Sequence, residues 1–196
     1  MHPLLNMNPA LILIDIQKGF DDLEYWGGQR NNPGAEENAK YLLDFWRNNK
    51  LPLFHVQHCS ADPGSILAEG KPGNEIKEAV APRDGETVIR KNVNSAFIGT
   101  ALKQMLEDEQ ITTLVVVGLT TDHCVSTTTR MAGNYGYRTF VVADACAAFA
   151  KSGINGERYD AETIHLVALA HLKDEFATIV NTADIVGTGC HREDKA

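Results

Sequence analysis

The sequence predicts an α/β fold: three αβα layers, doubly wound around a largely parallel sheet of about six strands, of the Rossmann-like type. Two runs carry the reading first. ALILIDI at 10–16 and TTLVVVG at 112–118 are short, almost continuously apolar and bounded by turn signals. That is the pattern of parallel strands covered on both faces. The third observation is order: strand-like and helix-like segments alternate along the chain, which requires right-handed crossovers.

The elements follow in sequence. After the first strand, residues 35–49 place Ala39, Leu42, Leu43 and Trp46 on one helical stripe. PLFHVQ at 52–57 and ETVIRK at 86–91 are weaker strands, separated by a loop rich in Gly and Pro at 60–85 with a short helix near 75–80. A helix over 98–108 carries Leu102, Met105 and Leu106, and precedes the strand at 112–118. A helix over 124–135, a strand RTFVVAD at 138–144, a helix over 160–173 and a strand FATIVNT at 176–182 complete the alternation. The helix over 160–173 presents Ile164, Val167, Ala168 and His171 as its stripe. No repeat, low-complexity tract or linker interrupts the 196 residues, so 1–196 reads as one domain.

Composition narrows the function. Apolar residues are 43% and charged residues 22% of the chain, as in soluble globular proteins. A net charge of −8 without a basic cluster argues against nucleic acid as partner. No apolar run approaches the roughly 18 residues of a membrane span. The start, MHPLLNMNPALILID, has no Lys or Arg before its apolar run and no small-residue cleavage site, and reads as a strand rather than a signal peptide. Cys59, Cys124, Cys146 and Cys190 lack C-x-x-C spacing. A domain of this size needs no disulfide staples, so free thiols in the cytoplasm are the expectation.

In such sheets ligands sit beyond the carboxyl ends of the strands. Asp15 closes the first strand; a carboxylate there either caps a turn or is used in chemistry. Lys91 closes the third strand; it is either solvated or functional, and Arg90 points to the opposite face. Cys124 follows the fourth strand, where a helix start favours thiolate, although a buried inert cysteine is the ordinary alternative. The fold brings all three to one sheet edge. Together they are the parts of a nucleophilic hydrolase: a thiol, a carboxylate to take its proton and a cation to hold the charge.

The blocks ALILIDIQKGF, GETVIRKNVNSAF and LVVVGLTTDHCVSTTTRMAGNYGYRTFVVADACAAF occur in this order over nearly the whole chain. The chain resembles the isochorismatase-like cysteine hydrolases, which include nicotinamidases and ureide and carbamoyl amidohydrolases. The resemblance implies an Asp15–Lys91–Cys124 triad, a cis Leu119–Thr120 peptide, and an oxyanion hole made by the backbone amides of Thr120 and Cys124. It also implies a homo-oligomer, dimeric or tetrameric. The expected activity is hydrolysis of a small amide or ureide through a thioester, with no cofactor. Lys91 and the helix start are expected to depress the Cys124 pKa, and Asp15 to take its proton.

Around these residues Gln17, Phe20, Trp26, Asn92 and Phe97 are the candidate substrate contacts, with Tyr25 and Asn94 nearby; aromatic walls with a few amides suit a small planar amide. His123 is rejected as a partner for Cys124, because adjacent helical residues point about 100° apart. Thr121 or Asp122 is the candidate helix cap. The nicotinamidase branch carries a metal site on an Asp-x-His pair, whereas LFHVQHCSADPG has none: His55 and His58 alternate along a strand and Asp62 lacks the second His. No metal is expected. True isochorismatases lack the cysteine, so Cys124 favours amide hydrolysis over vinyl-ether cleavage. A nicotinamidase-type amidase is the alternative substrate reading. A thiol redox protein, with Cys59 or Cys146 as resolving thiol, and a non-catalytic binding protein are the alternatives of other classes.

Overall fold

A computed structural model describes Leu4 and residues 7–187. The six strands of the main sheet are β1 (Ala10–Ile14), β2 (Leu53–His58), β3 (Thr87–Lys91), β4 (Thr113–Leu119), β5 (Arg138–Ala147) and, last in the chain, β8 (Thr178–Val180). They run parallel in the order β3-β2-β1-β4-β5-β8. The helices are α1 (Ala35–Asn49), α2 (Leu102–Asp108), α3 (Ser126–Asn134), α4 (Ala161–Leu172) and α5 (Thr182–Val186). A short antiparallel hairpin, β6 (Lys151–Ser152) and β7 (Arg158–Tyr159), stands outside the sheet.

Alternation along β1 explains the three layers. Ile12 and Ile14 join one core with Leu106 of α2, Ala132 of α3 and Leu169 of α4. Leu11 and Leu13 face the other way, onto Leu42, Leu43 and Trp46 of α1 and Ile185 of α5. Both faces of the strand are buried, as the unbroken apolar run predicts. Strand order reverses between β1 and β4, so the crevice past their carboxyl ends is the topological switch point.

That crevice needs close strand approach. Gly118 pairs with Ile14 and has φ +123°, and a Cβ there would lie 2.0 Å from the Ile14 carbonyl oxygen. The loop over 60–85 is tied down by Asn74, whose Nδ2 donates to the carbonyls of His58 (2.7 Å) and Leu67 (2.9 Å). Its short helical turns are Pro72–Asn74 and Glu78–Val80.

Several boundaries differ from the sequence reading, each for a local reason. α2 begins at Leu102 rather than 98, because Thr100 Oγ1 bonds the Ala96 carbonyl (2.5 Å) and Ser95 Oγ accepts from Phe97 N (3.2 Å), which favours turns over helix. β5 runs on to Ala147 through a register shift opposite Val116–Gly118. The stripe assigned to α4 is rotated. His165, Ala168, Leu169 and Leu172 are buried, while Val167 and His171 are exposed beside a groove of about 640 Å³ between α3 and α4. The cause is His165, whose Nδ1 meets Thr121 Oγ1 at 2.8 Å and fixes the helix by a polar contact that hydrophobic periodicity does not register.

Gly118→Ala is expected to cost more than about 3 kcal/mol, since both the backbone conformation and the space forbid a side chain. Urea unfolding measures it; a loss below about 1 kcal/mol would contradict the packing described.

Candidate active site

Four adjacent strands deliver one polar side chain each to a point past their carboxyl ends. In sheet order these are Lys91 closing β3, His58 closing β2, Asp15 just after β1, and Cys124 in the turn after β4. β3 and β1 are separated by β2, a span of about 10 Å. Only a long side chain crosses it. Lys91 Nζ donates to Asp15 Oδ2 at 2.6 Å and to Cys124 Sγ at 3.3 Å, and lies 3.2 Å from His58 Nδ1. The side chains of Lys91 and Asp15 are both 0% exposed. Arg90 is exposed and pairs with Glu69, as its opposite facing predicts.

Asp15 itself has φ +50°, a left-handed conformation, and its amide donates to the Val56 carbonyl at 2.9 Å. Its second carboxylate oxygen, Oδ1, is buried without a hydrogen-bond partner. A carboxylate oxygen of Asp15, a ring nitrogen of His58 and the sulfur of Cys124 all lie within 4.8 Å of one another. That donor set would suit a transition metal. The Lys91 ammonium touches all three residues and so holds the central position itself.

The electrostatics reverse one expectation. Burial raises the Asp15 carboxyl, and Lys91 pulls it back only in part. Burial, then the Asp15 charge, raises the Cys124 thiol well above its ordinary range; Lys91 opposes the rise without cancelling it. The thiol is pushed up, not depressed. A helix does start here, since Thr121–Val125 form a wide π-helical turn that runs directly into α3 at Ser126 and carries Cys124 in its first turn, but burial outweighs it. The Cys124 thiol and the Asp15 carboxyl are therefore two raised acid groups set side by side to exchange a proton.

The turn before the cysteine is well anchored. The Leu119–Thr120 peptide is cis. The Thr120 carbonyl accepts from His123 N (3.1 Å) and Val125 N (3.2 Å). Neither Thr121 nor Asp122 caps the helix. Thr121 is spent on His165, and Asp122 Oδ2 faces Lys151 Nζ at 3.2 Å and His123 Nε2 at 3.4 Å. His123 is half exposed, with its ring beside its own neighbour Asp122.

The candidate pocket residues separate into groups. Phe20 stacks on Trp26 (centroids 4.6 Å apart) and on Phe149 (6.2 Å), in a cluster that includes Leu119. Tyr25 meets Trp26 edge-on at 5.0 Å. Phe97 is buried on the other side, with Tyr135 and Tyr137, in the core that holds Cys124. Asn92 is exposed on a surface cleft beside Cys59 and Arg90. Asn94 Oδ1 lies 3.9 Å from the Cys124 sulfur. Gln17 is fully buried and bonded to the backbone of His58 and Asn74.

His55 and His58 face opposite ways, as alternation predicts: His55 Nε2 meets Glu86 Oε2 at 3.0 Å, away from Lys91. Burial holds the His55 imidazole below its ordinary value. Asp62 Oδ1 accepts from Gly64 N within its own exposed loop. Among the described residues Cys59, Cys124 and Cys146 are free thiols; Cys190 lies outside them. Sequence reasoning passed over His58 except as a metal ligand, and missed Asn74, His165 and Phe149. The β2–β3 register, His58 opposite Lys91, is the signal that identifies His58, and it belongs to the fold.

Because the Asp15 charge raises the thiol, Asp15→Asn should lower the apparent pKa of Cys124. Iodoacetamide labelling of the Cys124 peptide, followed by mass spectrometry, should then be about ten-fold faster in the variant than in the wild type at pH 9.5, where solvent base rather than Asp15 takes the thiol proton. Equal or slower labelling would refute the charge arrangement.

Known proteins share this fold. The model of the Isochorismatase domain matches residues 9–184. The isochorismatase family protein YrdC of Bacillus subtilis is 49% identical, over 90% of this chain and 94% of its own. A crystal structure of an isochorismatase-family protein from Chromobacterium violaceum superposes with a TM-score of 0.87 at 44% identity, covering 90% of this chain and 91% of that one. Maleamate amidohydrolase of Pseudomonas putida is 31% identical, over 69% of this chain and 70% of its own. With most of its length matched in both sequence and fold, the chain belongs to the isochorismatase family.

Proposed function

We propose that the protein is a cysteine-dependent amidohydrolase that cleaves the C–N bond of a small amide or ureide. One observation carries the reading: a buried ammonium, Lys91 Nζ, contacts both a carboxylate (2.6 Å) and a thiol (3.3 Å) at the switch point of the sheet. A dry ion pair of this kind is a poor way to gain stability, because desolvation offsets most of the attraction. Its use is in chemistry.

The thiol is the nucleophile. Its proton passes to Asp15 as sulfur attacks the carbonyl carbon. The carboxylate charge disappears as thiolate character develops, so Lys91 faces one net negative charge until that charge passes to the carbonyl oxygen. The tetrahedral oxyanion is held by the backbone amides of Thr120 and Cys124, each worth about 3 kcal/mol in such sites. Asp15 returns the proton to the departing nitrogen. Ammonia or an amine leaves a thioester on Cys124. Asp15 then takes a proton from water, hydroxide oxygen attacks the thioester, and the acid is released with the thiol restored.

The aromatic group of Phe20 and Trp26 is the proposed wall for a planar substrate. Gln17, Asn92 and Phe97 complete the candidate contacts, Gln17 acting through the backbone it holds. The relation to maleamate amidohydrolase supports small amides as the class to test first. Free thiols at Cys59, Cys124 and Cys146 favour a reducing compartment, the cytoplasm. No helix among the described residues is long and apolar enough to cross a membrane. The half-exposed Leu166 and Val167 of α4 are consistent with a homo-oligomer.

The test is ammonia release across a panel of small amides, ureides and lactams. A substrate found this way should lose about 10⁴-fold or more in kcat on Cys124→Ala, and at least about 100-fold on Lys91→Met. Residual turnover near the wild-type rate in Cys124→Ala would sink the covalent scheme.

A further inference from the structure

We propose that His58 is a positioning residue for this chemistry, the third acceptor that aims the Lys91 ammonium at Asp15 and Cys124. The inference rests on the amidohydrolase reading and adds a residue to it. An ammonium has three N–H donors and no acceptor. Two donors are used by Asp15 and Cys124, and the third direction is met by His58 Nδ1 at 3.2 Å. A cation attracts only an unprotonated ring nitrogen, so Nδ1 is the acceptor and Nε2 carries the hydrogen.

The fold makes this contact unavoidable. His58 and Lys91 are register partners on adjacent parallel strands, so their side chains leave the sheet side by side on one face. β2 also lies between Lys91 and its target on β1. The lysine stem therefore passes His58 on the way to Asp15.

A second feature points the same way. The peptide units around His58 are gripped by two buried carboxamides. Gln17 accepts from His58 N through Oε1 (2.9 Å) and donates to His58 O through Nε2 (2.9 Å). Asn74 Nδ2 donates to the same carbonyl at 2.7 Å. Gln17 is 0% and Asn74 7% exposed. This clamp fixes the backbone from which the imidazole projects and ties it to the start of the site through Gln17, two residues after Asp15.

The groups facing the ring give it a pH dependence. Burial and the adjacent Lys91 charge hold the imidazole below its ordinary value, while Asp15 and the Val93 backbone partly oppose this. Cys124 completes the set within reach. Protonation sets an imidazolium against the ammonium and removes the acceptor. Activity is present with neutral His58 and is lost as pH falls through its folded pKa, below 6.5.

Two variants test this: His58→Phe removes the acceptor, and His58→Asn keeps one near the Nδ1 position. Iodoacetamide labelling of Cys124 needs no substrate and separates this proposal from the amidohydrolase reading. Labelling at pH 8 should fall about ten-fold in His58→Phe, because Lys91 no longer stays on the sulfur, and return to within about three-fold of wild type in His58→Asn. With a cleaved amide in hand, His58→Phe should lose at least 30-fold in kcat with KM within about three-fold. The acid limb of kcat/KM should shift to lower pH in His58→Asn. Wild-type labelling and kcat in folded His58→Phe would overturn the proposal, as would an equal labelling defect in both variants. Should His58→Phe fail to fold, the acid limb decides: an unshifted limb in His58→Asn overturns the proposal.

Discussion

A lysine ammonium buried beyond the reach of water is the constraint around which this molecule is arranged. Lys91 must be satisfied entirely by protein groups, and each comes from a different strand or turn: Asp15, Cys124 and His58. Removing one partner of such a pair typically costs about 3–5 kcal/mol, since the other charge is left unpaired. The surrounding structure accordingly holds each partner in place. Gly118 lets β4 close on β1, Gln17 and Asn74 grip the end of β2, and His165 anchors the turn that carries the cysteine.

Charge balance links this arrangement to reactivity. One ammonium faces a carboxyl and a thiol set side by side to exchange a proton. Both acid groups are raised, because burial penalises either anion more than the shared cation repays. The thiol is thus quiet at rest and activated by proton transfer within the site, in contrast to a cysteine kept as thiolate by a helix terminus. The same ammonium occupies the middle of an Asp–His–Cys set that would otherwise be suited to a metal ion.

Much of this was legible in the sequence. The apolar runs at 10–16 and 112–118 fixed the central strands, and alternation placed Asp15, Lys91 and Cys124 on one edge. Helix α1 runs over the expected 35–49, because its stripe of Ala39, Leu42, Leu43 and Trp46 packs on one core. What escaped depends on register or on long-range polar contacts. His58 matters because of its cross-strand partner, which no local pattern encodes. The facing of α4 is set by His165 bonding a threonine 44 residues away in sequence. The direction of the Cys124 shift depends on burial, which helix-start reasoning leaves out. The sequence places Gln17 beside the site, two residues after Asp15, but not the backbone groups of His58 and Asn74 that its amide holds.

The central claim is that Lys91 and Asp15 serve a covalent step on the Cys124 sulfur. Its most direct test is rapid acid quenching during turnover of a cleaved amide, followed by peptide mass spectrometry. The account predicts an acyl group, the substrate less its amine, on the peptide containing Cys124 and on no other. Rapid turnover with Cys124 never acylated, or an adduct on another residue, would contradict it.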